Sequence, residues 1–515
     1  MGVFEIRDAF YLKGQPFKIL SGAIHYFRID PADWYHSLYN LKALGFNTVE
    51  TYVPWNAHEP RKGQFDFSGR LDLERFIQTA QSLGLYMIVR PSPFICAEWE
   101  FGGLPAWLLE EDLRIRSSDP AFIEAVDRYY DRLLGLLTPY QVDQGGPILM
   151  MQVENEYGSY GEDKDYLRAI RDLMKEKRRD LSSLYIRWTM ASNAKNRNLD
   201  RRRPLCDGKL RFQRAYNFGQ MQEFFSEYGK KWPLMCMEFW DGWFNRWKEP
   251  IIKRDPEELA EAVHEVLQEG SINLYMFHGG TNFGFMNGCS ARGSVDLPQV
   301  TSYDYDALLD EQGNPTPKYY AVKKMMATYY PEYPQMDPLV KSSLSERTLE
   351  LTQKTSLFGN LNEIAQVTES LYPQTMEEID HPLGYLLYET EVEMDAEEER
   401  LRIIDARDRV QVYANDQLIA TQYQEEIGQD LFLNGKKKTI YKSKTLDRKH
   451  GKSQLWAQTL SGHPTKRNPN RGLISIFISS FIGNNMRLIL ASWTAWNFSK
   501  EWQEGQPAFY QFAFI

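Results

Sequence analysis

Short, almost wholly apolar runs alternate with longer amphipathic stretches through the first two thirds of the chain. Phe17 to Tyr26, Thr48 to Pro54, Leu85 to Pro91 and Ile148 to Val153 read as strands. A continuous apolar run suits a strand covered on both faces, as in parallel sheets. Helical patterns at Trp34 to Leu44 and Leu71 to Leu83 separate the first three strands, and a third helix opens on Asp119-Pro120, an acidic N-cap followed by Pro at the first helical position. Two further apolar strands, Pro233 to Met237 and Ile272 to Phe277, flank a helix that opens on Asp255-Pro256-Glu257-Glu258. Strand and helix alternating at this spacing predict parallel βα units. Each strand runs into polar and aromatic residues, and none leads into a GxGxxG turn. The expected fold is therefore an α/β protein built on a (β/α)8 TIM barrel, not an open doubly wound sheet.

From about Leu339 the pattern changes to short alternating runs, such as Leu401 to Ile404, Val410 to Tyr413 and Leu418 to Ala420. These predict an all-β appendage, a sandwich or jelly roll. The expected domains are a barrel over residues 1–335, a β domain over 336–497 and the start of another β domain over 498–515. Two stretches break the pattern. Leu184 to Arg214 clusters arginine where the fifth and sixth barrel strands are expected, and Thr445 to Gly472 has no periodicity. Both read as out-of-frame translations with one shared offset, which leaves the β domain partly disrupted.

At 515 residues the chain is too long for one ordinary core. A net charge of -10, with both signs interspersed, argues against nucleic acid or an anionic membrane as partner. No window approaches the ~18 to 20 apolar residues of a membrane span, and the first residues lack a signal peptide's basic start and apolar run, so a cytoplasmic location is expected. Cys96, Cys206, Cys236 and Cys289 show no CxxC spacing and read as reduced thiols. Aromatic residues make up 14% of the chain, many near strand ends, which points to sugar: pyranose faces stack on aromatic rings while carboxylates and amides bind the hydroxyls.

The run Ile148 to Val153 ends in Glu154, Asn155 and Glu156, and Pro233 to Met237 ends in Glu238, with Trp240 and Trp243 close behind. Two carboxyl groups about 5 Å apart at a barrel mouth are what a retaining glycosidase needs, one to attack and one to protonate the leaving oxygen. One must be protonated while the other is ionised. The bland alternative is that each merely pairs with a nearby cation. His58-Glu59 and His264-Glu265 lack the second histidine of HExxH, and the GGTNFG turn opens no nucleotide-binding helix, so neither a metal nor a cofactor is expected.

The segments SGAIHYFRI, TYVPWNAHEP, RPSPFICAEWEFGGLPAWLL, MQVENEYGSYG, MEFWDGWFNRW, GGTNFGFMNG and TSYDYDALLDEQG closely resemble glycoside hydrolase family 35, the β-galactosidases, and its cytoplasmic bacterial members in particular. The resemblance covers about residues 1–335, apart from the stretch Leu184 to Arg214. It implies that Glu156 is the acid/base, Glu238 the nucleophile and Glu154 a supporting residue. It also implies galactose contacts from Tyr52, Cys96, Ala97, Glu98, Asn155, Trp243 and Tyr305, those of Cys96 and Ala97 through the backbone. The implied reaction is retaining, double-displacement removal of terminal β-galactose from an oligosaccharide or glycan, with β-1,3 links preferred in the bacterial branch. Two alternatives stay open: a retaining glycosidase for another β-sugar, and a galactose-binding protein made inactive by the aberrant segments. The terminal QPAFYQFAFI resembles the first strand of a truncated galactose-binding-like domain. Such a strand is an aggregation risk unless it finds a sheet edge.

Overall fold

The computed structural model describes residues 2–177, 184–185, 214–448, 475–478, 486–491 and 508–510, with short breaks at 92, at 293–294 and between 344 and 439. The described chain divides into two compact units. One takes in Met1–Phe283 and Leu297–Ser342; the other begins again at Ser343 and includes Gly284–Asp296.

The first unit is built on a seven-stranded parallel sheet: β1 (Leu20–Ile24), β2 (Thr48–Tyr52), β3 (Tyr86–Arg90), β4 (Ile148–Gln152), β5 (Leu184–Tyr185), β6 (Met235–Trp240) and β7 (Ser271–His278). Its order is β5-β4-β3-β2-β1-β7-β6, so the sheet curls until its last strand lies beside its first. This is the expected barrel core. The residues expected to supply the strand between β5 and β6 lie outside the described residues, as do nearly all of the aberrant stretch Leu184 to Arg214 and most of Thr445 to Gly472. The expected strand Pro233 to Met237 begins and ends later, at Met235–Trp240, which puts Glu238 within the strand.

Among the described residues, seven helices of ten or more residues accompany the sheet: α1 (Trp34–Ala43), α2 (Leu73–Ser82), α3 (Pro120–Leu137), α4 (Lys164–Lys177), α5 (Arg214–Glu227), α6 (Pro256–Glu269) and α7 (Pro317–Tyr329). Two begin as the sequence predicts: Asp119 accepts from the Ala121 amide, and Asp255 from those of Glu257 and Glu258; a third, starting two residues later than expected, is capped by Asp72, which accepts from the Arg75 amide. Each such cap is worth about 0.5–2 kcal/mol. Among the described residues no helix is long and apolar enough to cross a membrane.

An antiparallel hairpin, Phe4–Ile6 with Phe10–Leu12, precedes the barrel. Phe4 and Phe10 stack at 5.9 Å and share a buried cluster with Ile88, Leu149, Met150, Met235 and Met237. The hairpin therefore stoppers the barrel toward the amino ends of its strands, leaving the carboxyl ends for chemistry.

The second unit is antiparallel. One sheet has six strands in the order Ala365–Ser370, Met486–Ala491, Tyr385–Glu393, Ile440–Arg448, Arg409–Ala414 and Gln417–Gln422; another joins Asp430–Asn434, Glu398–Ile404 and Ser475–Ile478. Leu386, Tyr388, Val410 and Val412 of the first share a core with Leu401 and Ile403 of the second, which makes the two sheets a sandwich. Thr445 to Arg448, the start of the second aberrant stretch, belongs to a strand paired on both sides. Near the end of the chain Ala508–Tyr510 pairs with Lys354–Ser356, so the terminal strand does find an edge.

Candidate active site

Beyond the carboxyl ends of the strands lies a small cavity. Tyr52, Cys96, Ala97, Glu98, Asn155, Glu156, Glu238, Trp243 and Tyr305 all line it. Every residue singled out in the sequence for catalysis or sugar contact thus reaches one cavity, and Trp240, Phe244 and Tyr275 join them.

Glu238 sits on a strand whose burial alternates, so Cys236, Glu238 and Trp240 share the less buried face. Its Oε1 accepts from the Tyr52 hydroxyl at 3.3 Å and from Arg90 Nη2 at 2.7 Å. Arg90 ends β3, is fully buried, and also donates to Asn155 Oδ1 at 2.7 Å, while its Nε lies 3.8 Å from Glu50. Burial works against the guanidinium's charge, but Tyr52, Glu238 and Glu50 outweigh it and hold the pKa above the ordinary arginine value. Sequence reading missed Arg90. Its signal was a charge closing an apolar strand, the same signal that singled out the glutamates.

Asn155 is fixed from several sides. Its Oδ1 accepts from Tyr52, Arg90 and Gln152, and its Nδ2 donates to the Ile95 carbonyl at 3.1 Å. Arg90 and Gln152, with the single Tyr52 proton shared between this oxygen and Glu238, fix the amide's orientation and leave its second N–H to offer a ligand.

The two glutamates that flank Asn155 separate cleanly. Glu154 takes no part in the cavity; Arg116 grips it with Nε and Nη2, both at 2.8 Å, and the Tyr166 hydroxyl adds a bond at 3.0 Å. Glu156 lines the cavity. Both have left-handed backbones, with φ of 56° and 48°. Such conformations cost on the order of 1–3 kcal/mol each and persist where surrounding structure imposes them.

A second left-handed run forms another part of the wall. Cys96, Ala97 and Glu98 have φ of 59°, 50° and 48°. Arg28, buried and stacked 3.8 Å over the Tyr303 ring, donates to the Ala97 carbonyl, and the Tyr303 hydroxyl donates to Glu98. Burial pushes the Glu98 carboxyl up to about 7, with Tyr303 and Arg28 pulling it down and Glu238 and Glu156 pushing it further up. Burial likewise pushes the Cys96 thiol well up, helped by the same three carboxylates.

Glycine is required where the wall meets the strand ends. A Cβ on Gly242 would stand 1.8 Å from the Tyr305 carbonyl oxygen, and one on Gly279 would stand 1.7 Å from that of Tyr303. The bare backbones let the segment carrying Tyr303 and Tyr305 lie against β6 and β7. The Trp243 amide then donates to the Tyr305 carbonyl at 3.0 Å, and Trp243 meets Trp240 edge to face.

Beside this contact, Asp241 is fully buried, and burial pushes its carboxyl up to about 8 against the pull of Lys318 and Arg254. An unfolded aspartate titrates near 4. The stability that a neutral Asp241 contributes is therefore complete below about pH 4 and is lost as pH rises through 8. Asp241→Asn should flatten that decline. In melts from pH 4 to 9, the Tm of the variant relative to wild type is expected to rise with pH; a constant difference would contradict it.

The tempting histidines are engaged elsewhere. His58 bonds the Tyr26 hydroxyl and the Asp66 carbonyl, and His264 bonds Gln268 and Tyr330. Cys96, Cys236 and Cys289 are reduced thiols, and Cys206 lies outside the described residues.

Residues 9–329 match the model of "Glycosyl hydrolases family 35". The chain is 39% identical over 427 residues to human "Beta-galactosidase-1-like protein 3", covering 80% of this chain and 62% of that protein. It is 38% identical over 431 residues to the "Beta-galactosidase" of Xanthomonas manihotis, covering 82% and 69%, and 39% identical over 407 residues to human "Beta-galactosidase", covering 76% and 58%. The chain thus spans roughly 60 to 70% of the length of these relatives. With the family's match running from the first hairpin through the last barrel helix, and carrying every residue of the cavity, the chain belongs to glycosyl hydrolases family 35.

Proposed function

We propose that the chain is a retaining β-galactosidase that removes terminal, non-reducing β-D-galactose, with residues 1–335 as its catalytic domain, 336–497 as a β domain and 498–515 as the start of another. The observation that carries the reading is one cavity holding Glu156 and Glu238 together, with Glu238 held by two donors. In the first step Glu238 attacks the anomeric carbon while Glu156 gives its proton to the departing oxygen. In the second, Glu156 takes a proton from water as that water displaces Glu238. An arginine donating to Glu238 suits an ionised nucleophile. Asn155 has an N–H to offer the sugar 2-hydroxyl, a bond that strengthens in the oxocarbenium-like transition state. Glu98 and Tyr305 offer polar groups to the other hydroxyls, Cys96 and Ala97 their backbone, and Trp243 an aromatic face. That relatives carry the name β-galactosidase supports galactose as the sugar.

The test is kcat/KM on matched aryl β-galactosides and β-glucosides, with product stereochemistry followed by NMR. Galactoside is expected to be preferred and the β-anomer to form first. A preference for glucoside, or an α-anomer as first product, overturns the reading, and galactose binding without hydrolysis would make the protein a lectin. Comparing β-1,3- with β-1,4-linked galactosyl disaccharides tests the expected linkage preference.

A further inference from the structure

Outside the lining of the cavity, a buried arginine gathers the backbone that carries Glu156. Arg116 is 3% exposed and its guanidinium lies between two rings, 3.8 Å from the centre of Phe94 and 4.2 Å from that of Tyr160. With Nε and Nη2 it holds both oxygens of Glu154, and with Nη2 it also holds the Asn155 carbonyl at 2.8 Å. Its own carbonyl accepts from the Tyr157 hydroxyl at 3.1 Å. Glu154 Oε2 in turn accepts the Asn155 amide, and Glu154 Oε1 accepts from Tyr166 on α4. Residues 154, 155 and 157 are therefore all tied to this pair, and the carboxyl that the stretch presents to the cavity is that of Glu156.

From this arrangement we infer that Arg116 and Glu154 form a positioning clamp for Glu156, setting where the acid/base carboxyl meets the leaving-group oxygen. The inference rests on the reading of Glu156 as acid/base. The backbone gives the clamp its purpose. Glu154 and Glu156 both occupy left-handed conformations that glutamate does not favour, so bonds from outside the segment must impose them. A forked guanidinium is well shaped for this, because it satisfies a carboxylate with two parallel bonds and here has a further bond for the adjacent peptide. Lysine, a point charge on a flexible stem, can neutralise Glu154 but cannot reproduce the fork. Arg116 touches neither sugar nor reacting atoms. Its effect passes through the peptide of residues 154–157.

Acid assistance matters in proportion to the basicity of the leaving group, and this separates a positioning role from a packing role. In Arg116→Lys, kcat/KM on an alkyl β-galactoside, whose leaving oxygen needs a proton, is expected to fall about 100-fold, near the lower end of what a general acid contributes. On 2,4-dinitrophenyl β-galactoside, whose leaving group departs unprotonated, it should fall less than about fivefold. Added azide should accelerate turnover of the dinitrophenyl substrate by displacing Glu238 from the galactosyl-enzyme, giving β-galactosyl azide and freeing the carboxylate. Titration of active sites in the 515-residue chain with a 2-deoxy-2-fluoro-galactoside corrects each rate for folded protein. Tyr166→Phe, which removes one bond to Glu154 and leaves the ion pair, is expected to show the same selectivity at smaller size, and it carries the test if Arg116→Lys does not fold. Equal losses on both substrates after correction would reduce Arg116 to packing and overturn the inference while leaving the proposed function intact. A wild-type chain that hydrolyses neither substrate would overturn both.

Discussion

Glu238→Gln is expected to lower kcat on an aryl β-galactoside about 10,000-fold or more, equivalent to about 5 kcal/mol of barrier, while the chain still folds and binds galactose. The carboxamide keeps the size of the side chain and can still accept from Tyr52 and Arg90, so the loss falls on the nucleophile and not on the cavity's shape. Azide offers a way to read the mechanism from the variants. With Glu238 shortened to Gly, azide can enter the vacated space and displace an activated leaving group directly, giving α-galactosyl azide. With Glu156→Ala, azide instead attacks the galactosyl-enzyme and gives the β-product. Anomeric configurations in the opposite sense would exchange the two roles, and full activity in either variant would remove that residue from the chemistry.

Arg90→Met carries the second large effect, expressed in stability as well as rate. Arg90 is fully buried between the carboxylates of Glu238 and Glu50, and its loss takes that cation from a buried Glu50 and from Glu238 in the cavity wall. Breaking a buried ion pair by deleting one partner costs about 3–5 kcal/mol. Asn155 also loses one of its donors, which frees the amide that the 2-hydroxyl is proposed to meet. A Tm well below wild type is expected, together with a fall in kcat/KM of at least about 100-fold per folded molecule. Adding Glu50→Gln to Arg90→Met should restore part of the stability and little of the activity, because it relieves one carboxylate and does nothing for Glu238. Recovery of activity with stability would instead assign Arg90 to the scaffold.

What could be read from the sequence follows from how locally each feature is encoded. Strands such as Ile148–Gln152 declare themselves as apolar runs, and the helix starts at Asp119-Pro120 and Asp255-Pro256 are marked within a few residues of where they act. The cavity residues were legible because they belong to long motifs that hold strand ends and following loops together. The choice between Glu154 and Glu156 could not come from spacing or periodicity, since it depends on Arg116, 38 residues from Glu154 in the chain, and on Tyr166, one helix further on. Arg90 escaped for the opposite reason. An arginine at a strand end usually reaches water, and only the meeting of β3 with β4 and β6 shows that this one is enclosed. Tyr275, midway along β7, reads as core until the curl of the sheet turns it toward the cavity.

The sheet order sets a schedule for synthesis. The first barrel strand pairs with the last, and the Ile19 amide finds its partner in Ser271, 252 residues later. At about 5–20 residues per second, a ribosome needs roughly 10 to 50 seconds to deliver that partner after the first strand has emerged. For that interval β1 can pair with β2 while its other edge stays open, beside apolar segments that cannot yet be covered. Pairing of the first barrel strand with the last is thus a late event in the life of each new chain, and until β7 arrives one edge of β1 stays exposed.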